Sequence, residues 1–86
     1  MNEAKAIKRK LGIRLATIRV ELGMSQEDMS DIIDYKYYQK IEEGRANLTL
    51  ETLVKLKNKF NCEIADFFCF ENLPKKSPKL KRSGNK

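Results

Sequence analysis

The stretch that decides the fold runs from Ser25 to Gly44, SQEDMSDIIDYKYYQKIEEG. Ser25 followed three residues later by Asp28 opens it as a capping-box-like helix start, in which the hydroxyl and the carboxylate each reach the other residue's backbone N–H. Gly44 closes it, and neither glycine nor proline interrupts it. Met29 and Ile32 fit the inward side of one helix. Asp34 fits the N-cap of a second, running from Tyr35 to Glu43 with Tyr38 and Ile41 inward. Two short helices therefore share the stretch, and tyrosines and lysines crowd the second.

Working outward, the preceding segment is helical. Ile7, Leu11, Leu15, Ile18 and Leu22 recur at intervals of three or four and stack on one face, and Gly23 stops that helix at a C-terminal cap position. On the other side Thr49 caps a fourth helix with Leu50, Leu53, Leu56 and Phe60 as its apolar stripe. A fifth short helix is expected from about Ile64 to Phe70. Nothing asks for a strand, so the expectation is an all-α, compact five-helix bundle over residues 5–73. A chain of 86 residues holds one such core. The segment 74–86, PKKSPKLKRSGNK, carries two prolines and no apolar period, and is expected to be disordered in isolation.

Charge follows the same division. All twelve acidic residues and twelve of the eighteen Lys and Arg precede Pro74. The body is therefore neutral, and the formal +6 lies in the tail at Lys75, Lys76, Lys79, Lys81, Arg82 and Lys86. The absence of histidine removes the commonest general base and zinc ligand together, which argues against an enzyme, a metal site or a cofactor. Cys62 and Cys69 have no ligand companions and read as buried or half-buried reduced thiols. No apolar run approaches the roughly 18 residues of a membrane span, and the first residues lack an apolar signal core, so the expected location is cytoplasmic, with no membrane partner.

With these elements placed, the chain resembles the Cro/repressor-type, or XRE-like, helix-turn-helix family with its lambda-repressor-like DNA-binding domain. The small controller regulators of restriction–modification systems belong near it. The resemblance covers about Leu11 to Phe68, through LGIRLATIRVELGMSQEDMS and YYQKIEEGRANLTLETLVKL. Its specific pieces are Ile18-Arg19, Gly23-x-Ser25-Gln26-Glu27, Ile41-Glu42-x-Gly44 and Asn47-x-Thr49-Leu50-x-Thr52-Leu53. It implies that the third helix enters the DNA major groove. Aligned backward from Ile41-Glu42, the base-contacting positions become Tyr35, Lys36, Tyr37, Gln39 and Lys40. Lysine donates to guanine O6 and N7, glutamine pairs with adenine N6 and N7, and a tyrosine reaches a phosphate or a thymine methyl. Without the flanking motifs the same face reads as ordinary solvated helix surface. Gln26, Arg45 and Asn47 are implied phosphate contacts, with loop polarity as the plain alternative. Arg19 and Glu42 are implied as a structural ion pair that orients the third helix. Tyr38 takes a position that is normally aliphatic and buried.

Two departures carry consequences. Between Gln26 and Ile41 this chain is two residues shorter than the common pattern, equivalent to about 200° of α-helical rotation, and the glycine usual in the turn is missing. Asp31 or Asp34 is therefore expected to take any positive φ the turn requires. Second, Phe67, Phe68 and Phe70 crowd the last helix beside Ile64 and Leu73. The expected dimer interface is Phe67, Phe70 and Leu73, with Phe68 on the core side; the plain alternative is that these phenylalanines close the monomer core. A two-fold dimer would set two reading helices roughly 34 Å apart. The expected function is a sequence-specific DNA-binding transcriptional regulator, a homodimer on double-stranded DNA with polymerase or a toxin as possible protein partner. The alternatives are a protein-interaction adaptor on the same fold or an antitoxin-type regulator.

Overall fold

The computed structural model describes residues 2–80, and within them the chain is helical with no strand. Three α-helices form: α1 (Glu3–Glu21), α2 (Tyr35–Glu42) and α3 (Leu50–Phe60). Each start has a side-chain cap. Asn2 accepts from Lys5 N at 3.2 Å, Asp34 from Tyr37 N at 3.0 Å and Thr49 from Thr52 N at 3.1 Å. Each cap satisfies one of the backbone donors a helix start leaves unpaired.

The core gathers Leu11, Leu15, Met29, Tyr38, Ile41, Leu56, Phe60 and Phe67. Phe60 and Phe67 meet edge to face, with ring centroids 6.2 Å apart. Only the middle of the α1 stripe is buried, because Ile7 and Leu22 overhang the ends of the bundle at 41% and 48% exposure. Gly12 lets α1 approach the end of α2 at backbone distance. A Cβ there would stand 2.4 Å from the Glu42 carbonyl oxygen and 2.6 Å from that of Ile41. Gly44, with φ 77°, does the same for the chain leaving α2, since a Cβ would come within 2.9 Å of Arg9 Cα. These two contacts fix how α2 sits on α1.

The expected second and fifth helices are not α-helices. Both are five-residue 3-10 helices, Glu27–Asp31 and Ile64–Phe68, so the bundle has three α-helices rather than five. The first of these absorbs the shortened connection. Five 3-10 residues rise about 10 Å, the length of about seven α-helical residues, so the span is kept with two residues fewer. The tighter winding also adds about 20° per residue, which recovers about half of the missing rotation. Ser25 and Asp28 exchange side-chain to backbone bonds of 2.7 and 3.2 Å at the entry, and Ile32 leaves with φ −121°. The expectation of positive φ at Asp31 or Asp34 is therefore corrected: among the described residues only Asn61 and Asn72 take positive φ without being glycine. No left-handed residue is needed once the helix overwinds.

The second 3-10 helix overturns the expected roles of its phenylalanines. A 3-10 repeat of three residues sets Phe67, not Phe68, beneath Ile64. Phe67 is fully buried and cannot lie in a dimer interface, whereas Phe68 is 45% exposed. Phe70 is half-buried beside Phe68, their ring centroids 6.1 Å apart, and Leu73 is half-buried. Cys62 is half-buried and Cys69 is exposed, both as free thiols, so only the first matches the expected burial. Residues 74–80 hold no helix, yet Arg9 Nη2 donates to Lys75 O at 3.1 Å and Ser77, Pro78 and Leu80 are half-buried. The rest of the expected disordered tail, 81–86, lies outside the described residues.

Candidate nucleic-acid interface

The geometry of the candidate face begins inside the molecule. Arg19 projects from the last turn of α1 and grips Glu42 at the end of α2 with two bonds, Nε to Oε2 at 2.7 Å and Nη2 to Oε1 at 3.1 Å. Its remaining nitrogen, Nη1, donates to Met24 O at 2.7 Å. Both side chains are at most 5% exposed. A planar guanidinium fork matches a carboxylate in this way and a lysine does not. Burial by itself would lower the Arg19 pKa, but the hydrogen bond and charge of Glu42 outweigh it and raise the guanidinium above its ordinary value. The guanidinium stays charged.

Tyr38 packs beside this pair, fully buried. Burial first, and then the Glu42 carboxylate, hold its phenol well above the ordinary range, so it is neutral. Its hydroxyl is the one buried side-chain polar atom that closes no well-formed hydrogen bond among the described residues.

From Glu42 the hydrogen bonding continues outward to the surface. Gln26 Nε2 donates to Glu42 Oε1 at 2.8 Å, and Gln39 Nε2 donates to Gln26 Oε1 at 3.3 Å and to Tyr35 Oη at 3.2 Å. A relay thus runs from the Arg19 side chain of α1 through the buried pair to two side chains on the outer side of α2. The first bonds are short and buried. The last are long and half-exposed, so the Gln39 amide is held in place but exchanges partners at low cost.

Lys36 and Lys40 are exposed on the same helix. Tyr35 and Gln39 are half-buried beside them, so four of the five expected base-contacting residues share this side. Tyr37 is drawn away: its ring packs against the core and its hydroxyl donates to Asn47 O at 2.6 Å, pinning the loop that follows α2. Its place four residues before buried Ile41 was the sequence signal for that inward lean. Gln26 sits at the entry of a 3-10 helix with its amide committed to Glu42 and Gln39, which ties it to the relay. Arg45 is exposed and paired with Glu43 at 2.7 Å, and Asn47 is exposed after it. The close approach at Gly12 and the docking of residues 76–80 on the body were not expected from the sequence, although the lysines of that tail were. A glycine in mid-helix was the available signal for the first; the second has none.

The model of the helix-turn-helix family HTH_3 matches residues 15–67, more than half of the chain. The chain belongs to the XRE-type helix-turn-helix family. As an XRE-type protein it is a DNA-binding regulator, and such regulators are generally not enzymes. The match takes in Arg19, Gln26, the whole of α2 and Phe67, and leaves the first turns of α1 and the tail outside. No curated protein and no solved structure matches this XRE-type chain. No helix among its described residues is long and apolar enough to cross a membrane.

Proposed function

We propose that the chain is a sequence-specific transcriptional regulator that binds a short operator as a homodimer, with α2 lying in the major groove. One observation supports this above the others. The relay from Arg19 through Glu42 and Gln26 steadies Gln39 at the surface beside Lys36 and Lys40, which groups one amide and two cations on one helix. Base reading needs donors and acceptors held in that manner, because discrimination comes from bidentate geometry rather than charge alone. Arg45 and Asn47 then border the groove as backbone contacts. An adaptor surface has no need for this buried support.

Lys36→Ala and Lys40→Ala should each weaken binding to the preferred duplex by about 1 to 3 kcal/mol and leave binding to random duplex less affected. Titrating both DNAs with each variant at one fixed salt concentration checks it. Equal losses on the two DNAs would reassign these lysines to the phosphates.

The dimer draws support from the exposed apolar side chains. Ile7, Leu48, Leu53 and Phe68 line an open groove of about 320 Å³ between α1 and α3, and Leu50 and Val54 continue the apolar surface along α3 at 70% and 40% exposure. A two-fold interface presents one patch twice, which suits a surface whose lining is mostly apolar, with Lys8 and Asn47 at its rim. Phe68 replaces Phe67 as the central residue of that interface, with Phe70 and Leu73 at its edge. Phe68→Asp should shift the protein to monomer at micromolar concentration and weaken operator binding, because the second half-site no longer contributes. Sedimentation of the variant as an unchanged dimer would remove the assignment.

A further inference from the structure

Beyond Pro74 the chain turns back toward the candidate interface. Arg9 on α1 holds the Lys75 carbonyl at 3.1 Å. From there Ser77, Lys79 and Leu80 form one wall of a cleft of about 470 Å³ whose other wall includes Gln26, Glu27 and Tyr35. An adjoining cleft of about 270 Å³ sets Lys76 and Ser77 across from Gln26 and Glu43. The lysines of the segment therefore approach the acidic edge of the body, while Pro78 and Leu80 are half-buried. Pro74 and Pro78 fix two φ angles, which lowers the entropy lost when so short a segment docks. Tyr35 lines the larger cleft whereas Lys36, Gln39 and Lys40 line neither, so the segment meets the reading face at its Tyr35 end and leaves the two lysines and Gln39 outside the clefts.

We propose that residues 75–80 are a docked strap forming one edge of the DNA-binding surface, with Lys79 placed beside Gln26 and Tyr35 to take a backbone phosphate of duplex DNA. The proposal rests on the reading of α2 as the DNA-contacting helix. A lysine is suited to the role, since a phosphate accepts a point charge from many directions. The placement adds a tail cation to the two, Lys36 and Lys40, that the reading helix already carries. A loosely attached tail would add attraction without position. A strap makes one particular lysine matter.

The test keeps charge constant while moving it. Salt dependence of binding to a single duplex is measured for the intact chain, for Lys79→Ala and for the exchange Ser77→Lys with Lys79→Ser. Each neutralised phosphate contributes roughly 0.9 to the slope of log affinity against log salt. Lys79→Ala and the charge-conserving exchange should both make the slope shallower by about 0.9. An exchange variant that behaves as the intact chain would overturn the strap, as would Lys79→Ala with an unchanged slope. Tighter binding after truncation beyond Pro74 would show that the segment competes with DNA, which also overturns it. Docking is read without DNA: truncation should shift the NMR signals of the Gln26 side-chain amide and the Tyr35 ring, and unshifted signals refute the strap. If the intact chain binds no duplex, the DNA reading fails and the phosphate role fails with it, while those signals still report whether the segment docks.

Discussion

Glu42→Ala is expected to lower folding stability by about 3 to 5 kcal/mol, because it strands a buried guanidinium. Arg19 keeps the Met24 carbonyl but loses both bonds to the carboxylate, and Gln26 loses its acceptor at the same time. For a domain of this size the fall in Tm should be at least about 12 °C. The pair's contribution is conditional. Replacing both partners with apolar residues of similar volume often costs little, since neither charge must then be desolvated. Arg19→Met combined with Glu42→Leu should therefore recover most of the stability lost in Glu42→Ala. It should not recover discrimination between preferred and random duplex, because Gln26 would no longer be anchored and Gln39 would lose its support. Thermal denaturation of the three proteins and duplex titration of the double variant separate stability from orientation. A cost below about 1 kcal/mol for Glu42→Ala would mean that water reaches the pair.

The second large effect concerns the phenylalanines. Phe67→Ala should cost about 3 to 5 kcal/mol through lost burial and the cavity it leaves against Phe60. Phe68→Ala should stay within about 1 kcal/mol, as expected for a half-exposed ring outside the core. Urea unfolding of the two variants checks the contrast, measured at a concentration where association does not contribute. The reverse order would mean that residues 64–68 wind as an α-helix, with Phe68 beneath Ile64.

That contrast also shows where sequence reasoning ran out. The long α1 was legible because five apolar residues repeat over several turns, and the starts of α2 and α3 were legible because Asp34 and Thr49 have the right chemistry for caps. The Arg19 and Glu42 pairing followed from the family pattern and from the geometry of a fork meeting a carboxylate. The winding of the two short elements was not legible. An α-helix and a 3-10 helix differ by about 20° per residue, and five residues offer too few apolar positions to distinguish the two periods. That small difference decided which phenylalanine faces in and where the missing two residues went. The return of residues 75–80 left no periodic trace, since it depends on a backbone carbonyl meeting Arg9 and on one half-buried leucine.

Gln39 illustrates the limit from the other side. Its chemistry marked it as an adenine reader by resemblance, but nothing in its neighbours along the chain showed that its amide is steadied by Gln26, thirteen residues earlier. The support for the reading face is tertiary: it comes from α1 through a buried ion pair, and from the close approach that Gly12 permits. Phosphate and base contacts on such a surface are separated by which atoms move when DNA arrives.

The most direct measurement is therefore a residue-by-residue NMR titration of the protein with a duplex selected from a random-sequence pool. The largest changes should fall on Tyr35, Lys36, Gln39 and Lys40, with smaller ones at Arg45 and Asn47. Changes confined to the groove lined by Ile7, Leu48, Leu53 and Phe68, with α2 unmoved, would contradict the reading of α2 as the DNA-contacting helix.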